Sequence, residues 1–342
     1  MKNTVVCVST AVEKVKCRKE CKRRTEGDDV MMLESYGIVK IPVAAIWEGP
    51  EEIKENSLGE TVSAISDEGL YGMGVAITGE EVEGFYPVRT FYNYAGFIRK
   101  EAMETGSLDA LKAWEQGDLM VIDGGYVDIL SLPKVQGVRL LSLFKGSLIK
   151  VLSFDIEAEG WARVELLDGR IGYTRNQNLR PKEFSQSGLW TGELPQREIV
   201  DEATFRKAVV ETAKQYLGTQ YRWGGRSTAG IDCSGLTSES YLLNGILIYR
   251  DARIEPGFPV HKIPKDEMLP GDLMYFPGHI AMYMGHGAYI HSTGKIGSGG
   301  VVINSLNPEA EDYRADLAKS WYASGSIFDA PCGGNMSARI RS

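Results

Sequence analysis

The segment Gly230-Ile231-Asp232-Cys233-Ser234-Gly235 places a cysteine where a glycine-rich turn passes into an apolar-patterned stretch. Leu236 and Tyr241 follow at about helical spacing, and Asn244-Gly245 is a stop signal. We therefore expect a helix that begins at Cys233. Free N–H groups and the helix dipole favour a thiolate at such an N-terminus, so we expect a thiol pKa below about 8.5, the value of a free cysteine.

Two histidines downstream can supply a base. Residues 279–284 and 288–292 alternate as the strands of a β-hairpin do, with a glycine turn at 285–287. In that register Ala281 faces His291, and His279 is its diagonal neighbour on the same side of the sheet. Cys233 can then attack a carbonyl, while His279 moves the proton and His291 holds the ring of His279 in one tautomer. The arrangement predicts an acyl-transfer site.

Other interpretations of these residues stay open. Cys233 could be a small buried apolar residue, and His279 and His291 could be core histidines. Together with Cys233 and His286, the same histidines could instead bind zinc, although structural zinc sites usually pair their ligands at short spacing. We assign His286, in the expected turn, and His261 to the solvated surface, and we predict no metal and no cofactor.

Five motifs in order resemble those of the NlpC family of papain-like cysteine peptidases. They are Tyr221-Arg222-Trp223-Gly224-Gly225, Asp232-Cys233-Ser234-Gly235, Pro270-Gly271-Asp272-Leu273, His279 with Tyr283, and the polar third residue His291. The resemblance covers about residues 201 to 328, and five ordered motifs are far more specific than any one of them. It implies a papain-like fold with Cys233, His279 and His291 as the catalytic residues.

The resemblance also implies a substrate. Members of the family hydrolyse the bond between γ-D-glutamate and a diamino acid, diaminopimelate or lysine, in bacterial cell-wall peptides, and Tyr221 is implied as an oxyanion donor beside the Cys233 N–H. In the branch with two SH3 modules, the first module closes one end of the cleft, and the substrate presents a free N-terminal L-alanine. An ammonium group calls for carboxylates and an aromatic ring, so Glu60, Tyr94, Asp232 and Ser234 are the candidate substrate-binding residues. Alternatively, Glu60 is a surface charge and Tyr94 a barrel aromatic.

An internal repeat precedes the cysteine. Glu83-Gly84-Phe85 through Arg99 aligns with Glu159-Gly160-Trp161 through Arg175 at an offset of 76 residues (159 − 83). Each copy alternates apolar and polar residues as short strands do, and the second carries the turn signal Asp168-Gly169. Both copies resemble bacterial SH3 domains, which are small β-barrels.

These observations predict an α+β chain: a papain-like cysteine peptidase domain of helices and antiparallel sheet, preceded by two small SH3-like β-barrels. The expected segments are an N-terminal segment (1–30), SH3-like domain 1 (31–105), a linker helix that starts after Ser107 (106–116), SH3-like domain 2 (117–181), a linker (182–200), the peptidase domain (201–330), which opens with a helix capped by Asp201, and a tail (331–342).

The composition of the chain excludes some classes of binding partner and indicates where the protein is located. The chain has 342 residues, 43% of them hydrophobic, and a net charge of −8, which argues against nucleic acid or an anionic membrane surface as the main partner. We find no apolar run long enough for a membrane span. Five scattered cysteines favour a reducing compartment, and residues 4–12 form a poor signal peptide, so we expect a cytoplasmic protein, and a monomer.

Three hypotheses follow for function. The chain is a cysteine endopeptidase that trims wall peptides for recycling, a wall-peptide binding protein with a degenerate peptidase domain, or a thiol-dependent acyltransferase or amidase. The intact Cys233, His279 and His291 argue against the second hypothesis, and the sequence does not separate the first from the third.

Overall fold

The structure is a computed structural model that describes residues 35–329. The segments predicted at 1–30 and 331–342, with Cys7, Cys17, Cys21 and Cys332, lie outside the described residues. No helix within 35–329 is both long and apolar enough to cross a membrane.

The first β module, residues 35–106, is built on a seven-stranded antiparallel sheet of order β5-β2-β8-β7-β6-β1-β9, with β3 and β4 forming a separate hairpin. Its strands are β1 (Ser35–Val39), β2 (Val43–Trp47), β3 (Ile53–Glu55), β4 (Thr61–Ser63), β5 (Ile65–Leu70), β6 (Gly74–Ile77), β7 (Phe85–Thr90), β8 (Ala95–Arg99) and β9 (Met103–Gly106), with a 3₁₀ turn at Lys100–Ala102 before β9.

The second β module, residues 119–181, repeats this arrangement. Its strands are β10 (Leu119–Ile122), β11 (Tyr126–Leu130), β12 (Arg139–Phe144), β13 (Leu148–Phe154), β14 (Trp161–Glu165), β15 (Ile171–Arg175) and β16 (Leu179–Pro181), with a 3₁₀ turn at Asn176–Asn178. The order β12-β11-β15-β14-β13-β10-β16 matches that of the first module strand for strand once the hairpin of β3 and β4 is set aside.

The internal repeat found in the sequence is confirmed at the level of side chains. The guanidinium of Arg99 lies 4.4 Å from the ring centre of Phe85, and that of Arg175 lies 4.2 Å from the ring of Trp161. Each arginine is also the cross-strand partner of the aromatic residue that it covers. The two cation–π pairs differ by the predicted offset, so the modules share one structural plan.

Two helices connect the modules to the rest of the chain. α1 (Leu108–Glu115) begins as predicted at Ser107, whose hydroxyl accepts a hydrogen bond from the Ala110 N–H. The indole of Trp114 donates to the Gly72 carbonyl at 2.8 Å, which ties this helix to the first module. α2 (Gly188–Thr191) is a single turn between the second module and the C-terminal region.

The C-terminal region, residues 201–329, packs helices on a six-stranded antiparallel sheet of order β19-β24-β20-β21-β22-β23. Its elements are α3 (Glu202–Lys214), β17 (Arg226–Ser227), β18 (Gly230–Ile231), α4 (Cys233–Leu242), β19 (His261–Ile263), a 3₁₀ turn (Lys265–Glu267), β20 (Leu273–Phe276), β21 (His279–Gly285), β22 (Ala288–Thr293), β23 (Gly300–Ser305), α5 (Ala315–Ser320) and β24 (Ala323–Ser326). Asp201 caps α3 by accepting from the Thr204 N–H, as predicted.

The predicted hairpin of β21 and β22 is confirmed in its register. Met282 pairs with Ile290, which places Ala281 opposite His291. Ile280, Met282 and Ile290 are buried in the core against α3 and α4, while the histidines lie on the opposite face.

Buried ion pairs join the first module to the C-terminal region. Asp67 on β5 is fully buried and accepts hydrogen bonds from Arg226, from Arg250 and from the hydroxyl of Tyr92. Burial alone would raise the pKa of Asp67, but the two guanidinium groups outweigh it and hold the pKa below its usual range. Arg226 reaches on to Glu239 in α4 at 2.9 Å, so one carboxylate of the module organises two arginines around the cysteine helix.

We expect Asp67→Asn to lower the free energy of unfolding by roughly 3–5 kcal/mol, because it leaves two buried guanidinium groups short of a counter-charge. Urea unfolding measures the change. The control is Glu211→Gln, which breaks the exposed pair with Lys214 and should change stability by no more than about 0.5 kcal/mol. Equal effects of the two substitutions would show that the buried pairs do not hold the regions together.

Candidate active site

Cys233 is the first residue of α4, as the sequence predicts. Asp232 caps this helix, since its carboxylate accepts a hydrogen bond of 2.6 Å from the Gly235 N–H. A Cβ on Gly235 would lie 2.2 Å from the carbonyl oxygen of Gly225, so only glycine lets the loop pass this close to the helix. The motif Asp-Cys-Ser-Gly thus presents Cys233 on a tightly packed helix start.

The expected low thiol pKa is wrong for this site. Cys233 is only 6% exposed, and burial, followed by the negative charge of Asp232, raises its pKa to about 11. The N–H groups of Ile280 and Ser234 and the charge of Arg250 favour the thiolate but do not outweigh burial. The resting group is therefore a thiol and not a thiolate, so a nucleophilic role for Cys233 would require a base.

The two histidines form a hydrogen-bonded pair beside the cysteine helix. His279 Nε2 lies 2.7 Å from His291 Nδ1, which leaves Nδ1 of His279 for another partner. Burial, then the neighbouring His291 and Arg314, lowers the pKa of His279 to about 3. Burial likewise lowers the pKa of His291 to about 4, although its hydrogen bond to Asn304 opposes this. Both rings are neutral near pH 7, as a proton acceptor for a thiol must be.

A cavity of about 350 Å³ opens at the cysteine. It brings together five of the residues predicted for the site, and they come from both regions: Cys233, Tyr221, Asp232, Ser234 and Tyr94. The first module contributes Glu48, Ile65 and Ser66 besides Tyr94, and Gly278, the neighbour of His279, borders the same space. The cavity lies at the junction of the first β module and the C-terminal region.

Tyr221 lines the cavity together with Cys233. Burial and the charges of Cys233 and Asp232 raise the pKa of its hydroxyl, so the hydroxyl stays protonated at neutral pH. A protonated hydroxyl that faces the same cavity as the thiol is a donor suited to negative charge that develops on a reacting carbonyl oxygen. The role of Tyr221 in the oxyanion site stays a prediction.

Asp232 and Ser234 are held by Arg250. The guanidinium donates to both carboxylate oxygens of Asp232 at 3.0 Å and to the Ser234 hydroxyl at 2.8 Å. Its Nε reaches Asp67 of the first module at 2.5 Å. The charge of Asp232 is thereby balanced within the protein. The other carboxylates that line the cavity also have cationic partners, since Glu48 pairs with Lys54 and Asp251 lies 3.7 Å from Arg253.

Glu60 does not lie in the cavity. It is exposed in the turn between β3 and β4, where its carboxylate accepts from the side chain of Asn56 at 2.8 Å. Glu48, which follows β2, occupies the position expected of Glu60, because it borders the cavity near Tyr94. Our candidate for the ammonium-binding carboxylate is therefore Glu48, which is paired with Lys54 and half exposed.

Sequence reasoning missed Glu48, Asp67 and Arg250. The adjacent acids Asp67 and Glu68 lie in a strand bounded by Ile65 and Leu70, which is a signal of buried, paired charge, since unpaired carboxylates are rarely buried. Nothing in the local pattern separates Glu48 from Glu60. Within residues 35–329, no cluster of three or more histidine, cysteine, aspartate or glutamate side chains could hold a metal ion.

Comparisons with known proteins agree with this geometry. The sequence model described as the NlpC/P60 family matches residues 218–316. Dipeptidyl-peptidase 6 of Lysinibacillus sphaericus is 41% identical over 264 residues, which are 77% of this chain and 92% of that protein. The gamma-D-glutamyl-L-lysine dipeptidyl-peptidase of Bacillus cereus is 38% identical over 92 residues, 25% of this chain and 27% of that protein.

A solved structure resembles the chain over most of its length. The crystal structure of an NlpC/P60 family protein from Bacillus cereus has a TM-score of 0.63 and covers 84% of this chain and 98% of that one, at 19% identity. The predicted fold class, a papain-like α+β domain preceded by β-rich modules, is confirmed. The SH3 identity of the modules and the domain boundaries stay predictions.

We expect the alkylation rate of Cys233 by iodoacetamide to rise continuously between about pH 6 and pH 9, because the folded thiol ionises with a raised pKa. Mass spectrometry of the peptide that contains Cys233 measures this rate. The same peptide in urea-unfolded protein is the control, and its rate should be half-maximal near pH ~8.5 and level off above about pH 9.5, where the folded protein's rate still rises. A plateau in the folded protein below pH ~7 would instead reveal a preformed thiolate–imidazolium pair.

Proposed function

The chain belongs to the NlpC/P60 family, and from that premise we propose that it hydrolyses the bond between γ-D-glutamate and a diamino acid in bacterial cell-wall peptides. Membership confirms the expected hydrolase of the cysteine peptidase type. The observation that carries the proposal is the cavity at Cys233, because it brings a thiol, a tyrosine hydroxyl and carboxylates of two regions together in one space.

The proposed reaction assigns one role to each residue. His279 takes the proton of Cys233 as the sulfur attacks the γ-carbonyl carbon, and the Cys233 N–H and Tyr221 hydroxyl hold the oxyanion. His279 then gives the proton to the leaving amine of the diamino acid, and a thioester remains. Water attacks the thioester after losing a proton to His279, which returns it to the sulfur as the acid product leaves.

The cavity also supports the proposed preference for a free N-terminal L-alanine. Glu48 supplies a negative charge, and Tyr94 supplies an aromatic face, fixed by its hydroxyl's 3.1 Å hydrogen bond to Asp251. These groups suit a substrate ammonium group. Asp232 and Ser234, held by Arg250, line the same cavity.

A recycling role follows from the same proposal. A cavity closed on one side by the first module suits a short peptide with a free N-terminus better than cross-linked wall. Action on such fragments inside the cell, by a monomer, is part of the proposal. Whether the diamino acid is lysine or diaminopimelate is left to the substrate test.

The test is incubation with L-Ala-γ-D-Glu-L-Lys, its diaminopimelate counterpart and the N-acetylated form of each. We expect cleavage of the free-amine peptides only, and none by Cys233→Ala, with products followed by mass spectrometry. Released L-Ala-D-Glu acid indicates hydrolysis, whereas a new amide on the glutamyl carbon in the presence of added amines indicates acyl transfer. If neither peptide is cleaved, the proposed substrate class is wrong.

We expect Glu48→Gln to lower kcat/KM for the free-amine peptide about 10- to 100-fold, because a charge-assisted contact to the ammonium contributes about 1.5–3 kcal/mol. Steady-state kinetics measure the loss. Glu60→Gln is the matched control, since it neutralises an exposed carboxylate of the same module outside the cavity, and it should change kcat/KM less than about twofold. Similar values for the two variants would remove Glu48 from the amine site.

A further inference from the structure

A chain of hydrogen bonds continues behind the two histidines. His291 Nε2 lies 2.8 Å from Oδ1 of Asn304, and Nδ2 of Asn304 donates to the backbone carbonyl of Asp312 at 2.6 Å. Asn304 lies on β23, one strand away from His291 on β22, and it is 7% exposed. The segment that carries Asp312 follows β23 and returns to the amide side of Asn304.

The carbonyl of Asp312 fixes which groups donate and which accept along these hydrogen bonds. A backbone carbonyl oxygen can only accept, so the Asn304 group that faces Asp312 must be the amide nitrogen. The oxygen of the same amide then faces His291, and it can only accept as well. Nε2 of His291 must therefore carry a proton, and a neutral ring has no second proton for Nδ1.

The same logic passes to His279. Nδ1 of His291 is an acceptor, so Nε2 of His279, 2.7 Å away, must donate to it. The neutral ring of His279 then has its lone pair on Nδ1, the nitrogen left for the thiol proton. With the opposite orientation of the Asn304 amide, the lone pair of His279 would lie on Nε2 and could not serve Cys233.

We propose that Asn304, anchored by the Asp312 carbonyl, is a positioning residue that sets the tautomers of His291 and His279 and so keeps the base ready to receive the thiol proton. The proposal rests on the roles of Cys233 and His279 in the proposed function. It assigns Asn304 no contact with the substrate, because Asn304 acts only through His291.

The surroundings of the pair make tautomer control necessary. His291 is fully buried, and the side chain of Arg314, which is 12% exposed and paired with Asp316 at 2.6 Å, adds positive charge near both rings. Burial and Arg314 disfavour the doubly protonated ring, while the charge of Asp316 opposes them weakly. A neutral ring in this site carries its proton on one nitrogen only, and the fixed amide of Asn304 determines which nitrogen that is.

The test uses ¹⁵N-labelled protein and long-range ¹H–¹⁵N spectra of the four histidine rings, with steady-state kinetics beside them. In the unaltered protein we expect the proton on Nε2 of both His279 and His291. We expect Asn304→Ala to mix the tautomers of His279 and to lower kcat roughly 10- to 100-fold at nearly constant KM, less than the ~10⁴-fold cost of a fully wrong tautomer.

Asn304→Asp is the conservative variant. Its carboxylate still accepts from His291 Nε2, so the tautomers should stay as they are, although the donor to Asp312 is lost. Its negative charge favours a protonated ring pair, so the acid limb of the kcat profile should move to higher pH. Retained tautomers with this shift support orientation by Asn304, whereas mixed tautomers in Asn304→Asp contradict it.

The matched control is Asn244→Ala. Asn244 is a buried asparagine at the end of α4 that donates to Thr212 and to the Ser240 carbonyl, away from the histidines. Its loss should lower stability but leave the ring spectra and kcat within about twofold of the unaltered protein. Equal effects of the two alanine variants on kcat and on the ring spectra would overturn the proposal, as would a proton on Nδ1 of either histidine in the unaltered protein. If no wall peptide is cleaved, the ring spectra still decide the role of Asn304, and only the proposed substrate fails.

Discussion

The buried carboxylate of Asp67 is the contact on which the active-site region depends. It is the common partner of Arg226 and Arg250, and these arginines reach Glu239 inside the cysteine helix and Asp232 at its cap. Burying these five charged groups is costly unless each is paired. The two regions therefore depend on each other. The C-terminal region needs Asp67 of the first module to neutralise Arg226 and Arg250, and the module can bury Asp67 only because these arginines pair with it.

This dependence explains how a small β module can shape a reaction site. Glu48 and Tyr94 border the cavity only because β5, which carries Asp67, is held against the loop at Gly224 and Gly225. Arg250 touches both sides, since it binds Asp67 through Nε and Asp232 through its terminal nitrogens. A shift of the module would move the part of the cavity lined by Glu48 and Tyr94, which we propose for the substrate amine, together with the helix cap.

The sequence predicts the parts of the molecule that local rules control. The helix start at Asp232, the hairpin register that pairs Met282 with Ile290, and the repeat of two β modules follow from caps, alternation and spacing. Contacts between segments that are distant in sequence cannot be predicted from any local pattern. Glu48 and Glu60 each stand beside a glycine in the sequence, but β2, which Glu48 follows, pairs with β5, and β5 packs against the loop at Gly224 beside the cavity. The prediction of a low pKa for Cys233 is wrong for the same reason, because the helix dipole is a local effect whereas burial depends on the whole fold.

Burial of the thiol and of its base has one further consequence for catalysis. A thiol with a raised pKa and imidazoles with lowered pKa values are uncharged at rest, so in the proposed reaction charge separates only during attack. In the proposed reaction, groups already in place stabilise that charge: N–H groups and Tyr221 at the oxygen, and His291 behind the ring that becomes protonated. The low dielectric constant of the interior strengthens each of these contacts, and it also raises the energetic cost of a proton on the wrong nitrogen. A site that keeps its reactants neutral therefore depends on the geometry of its hydrogen bonds. For this reason the orientation of the buried Asn304 amide matters, although Asn304 acts on Cys233 only through His291 and His279.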